Sequence, residues 1–335
     1  MIVSALVALP IGTAMPRWSA ADIPDQSGRT ALVTGAGGGL GLRVALHLAQ
    51  RGCRVLMAVR DTTRGEAALD LLRAQVPGAA AELVEVDLAD LESVRKGAAE
   101  AAERTDALDL LVDNAGVMAV PRRTLSAQGF ELQLATNHLG HFALTGLLLP
   151  LLEAAPSARV VAVSSIMHKS GRLDFTDLQA ERRYSPMTAY NAAKLANAVF
   201  AVEFQRRLGA AGSPVIAVGA HPGVATTELG RKGSRLGGGG TLGALFDAFA
   251  QIAGHSAEAG ALPLLRAATD PGVRGGEYYG PAGLGGLRGA PVSCAYHRRA
   301  YDPETGRRLW AESERLTNVT YDLPPAPSGG PAGPS

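Results

Sequence analysis

Tyr190 and Lys194 stand four residues apart in Tyr190-Asn191-Ala192-Ala193-Lys194. On a helix that spacing puts both side chains on one face, so an ammonium can sit beside a phenol. Their ordinary pKa values are about 10 and 10.4. A phenol that transfers protons near neutral pH needs its pKa lowered by around three units, roughly 4 kcal/mol. A neighbouring cation has the sign to do it. As an isolated helical pair the pattern is background, and its meaning depends on what precedes it. There an apolar run ends in Ser164-Ser165, offering hydroxyls, with His168 three residues further on. His168 is read as a pocket-wall or surface histidine rather than a base.

A second cluster lies near the start of the chain. Thr34-Gly35-Ala36-Gly37-Gly38-Gly39-Leu40-Gly41 separates an apolar run from a helical segment. Glycines there let the backbone turn tightly and bring N–H groups and a helix N-terminus against a pyrophosphate. The next apolar run ends in Ala58-Val59-Arg60-Asp61. A carboxylate at that end would bind the adenosine ribose, whereas an arginine can hold a 2′-phosphate. Val59 stands where the carboxylate is expected and Arg60 follows, so NADP(H) is favoured; Asp61 keeps NAD(H) open. In Val86-Asp87-Leu88, Asp87 is either an acceptor for the adenine amino group or a cap or turn residue before Leu91. In Asp113-Asn114-Ala115-Gly116 the small residues permit close approach of a cofactor. Asn114 could equally tie neighbouring strands together.

These segments need elements to hold them. Six short runs, apolar on both faces, read as buried parallel strands: Thr30–Thr34, Arg54–Val59, Ala81–Val86, Leu108–Asp113, Ala158–Ser164 and Pro214–Gly219. Helical segments such as Leu40–Arg51 and Leu91–Arg104 lie between them. The alternation predicts an α/β fold, a single doubly wound parallel sheet of Rossmann type flanked by helices. Chemistry is then expected at the carboxyl ends of the strands. A last helix is expected over Glu304–Leu316, with Asp302 as N-cap and Pro303 at its first position.

Composition excludes several classes. Of 335 residues, 47% are hydrophobic, enough for a sizeable core, and the net charge of +1 gives no basis for nucleic-acid binding. Cys53 and Cys294 cannot build a disulfide framework or a zinc site, no metal is expected, and a reducing cytoplasm follows. Met1–Ala14 is apolar but shorter than the roughly 20 residues that span a bilayer, and it lacks a basic lead. Residues 1–26 are therefore expected to be an extension outside the fold, with Met15 as an alternative start. Residues 27–321 read as one domain, and 322–335 as a disordered Pro/Gly/Ser tail.

Taken together, the motifs resemble the short-chain dehydrogenase/reductase family. Thr34–Gly41 matches its T-G-x-x-x-G-x-G, Asp113–Gly116 its N-N-A-G with Asp113 in place of the first Asn, and Tyr190–Lys194 its Y-x-x-x-K. His221-Pro222-Gly223 matches the turn after the sixth strand. TNHLGHFALTGLLLPLL and RYSPMTAYNAAKLANAVF look like its retinol dehydrogenase and protochlorophyllide reductase branch. The resemblance implies that Tyr190 is the general acid/base and Lys194 lowers its pKa and contacts the nicotinamide ribose. It further implies that Ser165 hydrogen-bonds the substrate oxygen and Asn137 holds a water in a proton relay. Gly35, Gly37, Gly38, Gly39, Leu40, Gly41, Arg60, Asp87, Leu88, Asn114, Ala115, Gly116, Tyr190, Lys194, Pro222, Gly223, Val224 and Thr227 are the expected cofactor contacts. Gly37 and Gly38 replace polar residues often found in the phosphate loop, which removes side-chain help for a 2′-phosphate.

The expected partner is a small lipophilic ketone, aldehyde or alcohol, with no membrane span, in a monomer or homo-oligomer. Gly237–Gly240, flanked by Leu236, Leu242, Leu245, Phe246 and Phe249, reads as a lid over such a ligand or as a loop and core-packing helix. Two other readings compete. A non-catalytic NADP(H) sensor is opposed by the intact Ser165/Tyr190/Lys194 set. A nucleotide-sugar epimerase or dehydratase is opposed by the glycine spacing.

Overall fold

Five of the six apolar runs form strands buried on both faces, while the third, with Glu82 and Glu85, forms the sheet's edge and is partly exposed. A computed structural model of the chain describes residues 17–224 and 256–326. Thr227, the glycine-rich stretch from Ala225 to Gly254, Met1–Ala14 and the tail beyond Ala326 lie outside the described residues. Strands β1 (Thr30–Thr34), β2 (Arg54–Val59), β3 (Ala81–Glu85), β4 (Leu110–Asp113), β5 (Arg159–Val163) and β6 (Ile216–Ala220) fall within two residues of expectation. They run parallel in one sheet of order β3-β2-β1-β4-β5-β6, continued by β7 (Tyr278–Gly283) and an antiparallel β8 (Arg288–Cys294). The order reverses between β1 and β4. That is the switch point at which doubly wound sheets open a crevice.

Alternate side chains feed two cores. Leu32, Leu56 and Leu111 point into one, with helices α3 (Leu91–Arg104), α5 (Gly140–Ala154) and α6 (Pro186–Ala211). Val33, Val55, Met57 and Val112 point into the other, with α1 (Gly39–Gln50) and α7 (Ala257–Thr269). The period of two along each strand makes this division. Helix α2 (Thr62–Gln75) follows β2, and a single turn, α4 (Leu132–Leu134), leads through a π-helical turn, Ala135–Leu139, into α5. The last helix, α8, spans Pro303–Thr317, and Thr305 N–H donates to the Asp302 side chain at 3.1 Å, the expected cap.

Three expectations about the elements change. The fold begins before Ser27: Ile23 is 2% exposed, and Gln26 N–H donates to Arg51 O at 2.8 Å. Trp18 and Ala20 pack against the same core, but so few apolar residues in a short lead-in show no period to read. The packed chain also runs past Tyr321, since Ala326 is buried and Leu323 packs against the core. Finally, β7 and β8 form a hairpin that was not anticipated, because Pro281 and Pro291 and the surrounding glycines hide the strand pattern. Among the described residues no helix is long and apolar enough to cross a membrane.

Candidate active site

The turn after β1 is shaped for a ligand that approaches main chain. Gly35 has φ +70°, and a Cβ there would lie 3.1 Å from Ala115 Cα. A Cβ on Gly41 would meet Gly35 O at 2.5 Å and Asn114 Nδ2 at 2.7 Å. Gly39, at φ +56°, has open space on the side where a Cβ would point, and it is exposed beside half-buried Leu40. The start of α1 thus lies at the sheet's switch point with open space beside Gly39. The cradle fits the pyrophosphate of a dinucleotide.

Helix α2 closes one side of this loop. Its Gly65 allows close packing on Val59, and Arg64 Nη2 stands 3.6 Å from where a Gly38 Cβ would be. Arg60, at the end of β2, is exposed. Asp61 is occupied as the N-cap of α2, accepting from Arg64 N–H at 3.1 Å. Arg64 was missed in sequence; its place four residues after Arg60, on the first turn of the next helix, was the available signal.

At the next two strand ends the candidate side chains also serve the fold. Asp87 is a half-buried turn residue whose Oδ1 accepts from Ala89 N–H at 3.0 Å, and the cap of α3 is Asp90. Leu88 turns into the core, where a Cβ on Gly140 would meet Leu88 O at 2.3 Å. Asn114 Nδ2 donates to Thr34 O at 2.8 Å, and the Asn114 and Ala115 N–H groups donate to Thr34 Oγ1 at 2.8 and 2.9 Å. Asn114 therefore laces β4 to β1, leaving Ala115 and Gly116 close to the crevice.

The ends of β4, β5 and α6 meet around the Tyr–Lys pair. Tyr190, Lys194 and Ser165 are all buried. Lys194 Nζ donates to Val163 O at 3.0 Å, and a Cβ on Gly116 would lie 3.7 Å from that ammonium and 2.9 Å from Asn137 Oδ1. The Asn137 side chain is committed to Val117, accepting from its N–H at 2.8 Å and donating to its O at 2.9 Å. It sits on the π-helical turn, a distortion frequent at functional sites. Ser165 Oγ accepts from Met167 N–H at 3.2 Å.

Electrostatics here oppose the simple expectation. Burial pushes the Tyr190 phenol up to about 12, against a side-chain hydrogen bond with Ser165. Burial also presses Lys194 down to about 8. Desolvation is the dominant influence on the phenol, and the Lys194 ammonium rests on a backbone carbonyl. His168 is a brace. Its Nε2 accepts from His297 N–H at 3.0 Å while Nδ1 lies 2.6 Å from Ser165 O, so the ring is neutral, and burial pushes its pKa down to about 4.

Half-buried Pro222, Gly223 and Val224 follow β6, and Val224 N–H donates to Leu287 O at 3.0 Å on the β7–β8 hairpin. A Cβ on Gly286 would stand 3.3 Å from His221 Cε1 and 3.6 Å from Ile166 Cδ1. The unanticipated hairpin tip therefore forms a wall over the ends of β5 and β6.

A family model described as short chain dehydrogenase matches residues 29–235, from the cradle through the Tyr–Lys helix. This chain belongs to the short-chain dehydrogenase family. It is an NAD(P)-dependent oxidoreductase of the retinol dehydrogenase-like branch. The dehydrogenase is 40% identical to Retinol dehydrogenase 13 from Homo sapiens over 308 residues, 90% of this chain and 87% of the relative. It is 40% identical to Polyprenol dehydrogenase from Mus musculus over 303 residues, covering 89% and 86%. An uncharacterized protein from Mycobacterium paratuberculosis has a crystal structure of similar fold, with TM-score 0.74 and 42% identity over 92% of this chain and all of that one.

Proposed function

We propose that this dehydrogenase interconverts a lipophilic ketone or aldehyde and its alcohol using NADP(H), with Tyr190 as the proton donor and acceptor. The observation that carries the reading is the burial of Tyr190, Lys194 and Ser165 together at the end of β5, across the crevice from an open glycine cradle. When bound in the cradle, the nicotinamide dinucleotide supplies or accepts the hydride. Gly35–Gly41 would hold its pyrophosphate through main-chain N–H groups. Arg60 and Arg64 would hold a 2′-phosphate, and Asp61, spent as a cap, would not compete for a ribose hydroxyl. Ser165 would donate to the substrate oxygen and stabilise developing alkoxide charge. A phenol with a pKa of about 12 remains protonated through the neutral range, the form needed to give a proton to a carbonyl being reduced. Lys194 would orient the nicotinamide ribose, and Asn137 would shape the pocket floor beside it.

The lipophilic character rests on the names of the relatives, one a retinol and one a polyprenol dehydrogenase, and on the apolar hairpin tip beside Ile166. The deciding experiment is single-turnover NADPH oxidation with a panel of long-chain aldehydes and ketones, alongside a NADPH titration, for the parent and Tyr190→Phe. Retained binding with collapsed turnover supports the assignment. Near-normal turnover in Tyr190→Phe, or equal affinity of the parent for NADPH and NADH, overturns the respective half of it.

A further inference from the structure

Val163 carries the last carbonyl of β5, and two side chains of α6 donate to that single oxygen. Lys194 Nζ lies at 3.0 Å and Asn197 Nδ2 at 3.1 Å. Lys194 and Asn197 are only 3% and 4% exposed, so water cannot readily replace either donor. The two residues are three apart and share a helix face. The main chain beneath them is pinned separately, since Ser164 Oγ donates to Lys194 O at 2.7 Å. The lysine side chain can therefore change partner without its helix moving.

Such a change is what the proposed function asks for. An ammonium resting on a backbone carbonyl must leave it, or share itself, to engage a nicotinamide ribose. A buried carbonyl stripped of its last donor carries a desolvation penalty. Asn197 removes that penalty, because its amide stays on Val163 O when the ammonium departs. An amide suits the task better than a second cation: it donates without charge and does not repel the lysine.

We propose that Asn197 is a positioning residue that keeps the Val163 carbonyl satisfied and so frees Lys194 for the cofactor. The inference rests on the reading of Lys194 as a cofactor contact. Its test is a double-mutant cycle on NADPH affinity, read by titration of the full chain, with the melting temperature of the unliganded protein measured in parallel. Asn197→Leu, which keeps the branched shape and loses the donor, should weaken NADPH binding by about tenfold, the scale of one unsatisfied buried acceptor. Lys194→Met should also weaken it. The double variant should bind no more weakly than Lys194→Met, because there is no lysine left to release. Asn197→Ala, which relieves any misfit of the leucine, should behave in the same direction.

The alternatives separate cleanly. If Asn197→Leu lowers the melting temperature while leaving NADPH affinity unchanged, Asn197 is merely structural and the inference falls. It also falls if the loss is equally large in the Lys194→Met background. If Lys194→Met itself binds NADPH as the parent does, the reading of Lys194 fails, and this inference fails with it for that different and recognisable reason.

Discussion

The loop after β1 and the cluster after β5 share one edge of the sheet, yet one works by missing side chains and the other by burying them. Gly39 is exposed and makes no side-chain contact, and its neighbours offer main-chain N–H groups that never titrate. Tyr190 and Lys194 are buried, and desolvation drives each toward its neutral form, the phenol up to about 12 and the ammonium down to about 8. The difference teaches where pH sensitivity must reside. Grip on the pyrophosphate is a property of fixed dipoles, whereas proton transfer depends on two groups whose environments oppose their charges.

The largest expected effect separates chemistry from binding. Tyr190→Phe keeps the ring and its packing but removes the proton, so turnover should fall by at least about 10²–10⁴-fold while NADPH still binds. Gly41→Ala should do the reverse. Its methyl must displace the Gly35 carbonyl or Asn114, an overpacking strain of about 1–3 kcal/mol. Lower cofactor affinity and a lower melting temperature should therefore appear together. Gly39→Ala meets nothing and should lose only about 1 kcal/mol to its positive φ. Equal losses at Gly39 and Gly41 would show that the cradle's shape is not what matters.

The cations beside the cradle come next. Arg60→Ala and Arg64→Ala should each reduce the preference for NADPH over NADH by about tenfold, the scale of a charge-assisted hydrogen bond. A preference that survives loss of Arg64 would mean its guanidinium, close as it stands to Gly38, takes no part.

The effect furthest from the chemistry concerns the strand end between the two regions. Asp113 is 2% exposed, with Oδ2 accepting from Thr145 Oγ1 at 3.0 Å and Oδ1 without a partner. Burial raises its pKa to about 8, so the folded chain prefers the neutral acid. Its favourable contribution is complete below pH 4 and is lost as pH rises toward 8, because the unfolded chain ionises first. Asp113→Asn should therefore melt higher than the parent, by a margin that grows from pH 4 to 8 and then levels. A margin independent of pH would place the origin elsewhere than in this carboxyl.

Much of the molecule follows from contiguous residues. A parallel strand buried on both faces reads as an apolar run, which makes the interior strands legible. The half-polar edge strand β3 is read from its alternation with them, and all six fall within two residues. Asp302-Pro303 announces α8, and four-residue spacing places Tyr190 and Lys194 on one face whatever surrounds the helix. What the chain does not announce are the facts that need distant segments to meet. Arg64 reaches Gly38 only because α2 packs back on the loop, and that packing consumes Asp61 as its cap. The β7–β8 hairpin becomes a wall of the site only by joining β6, and Ile23 becomes core only when α1 and β2 arrive. The pKa of Tyr190 moves opposite to the local expectation for the same reason. A neighbouring charge is read four residues away, but desolvation sums over every segment packed around the phenol, and only the tertiary structure performs that sum.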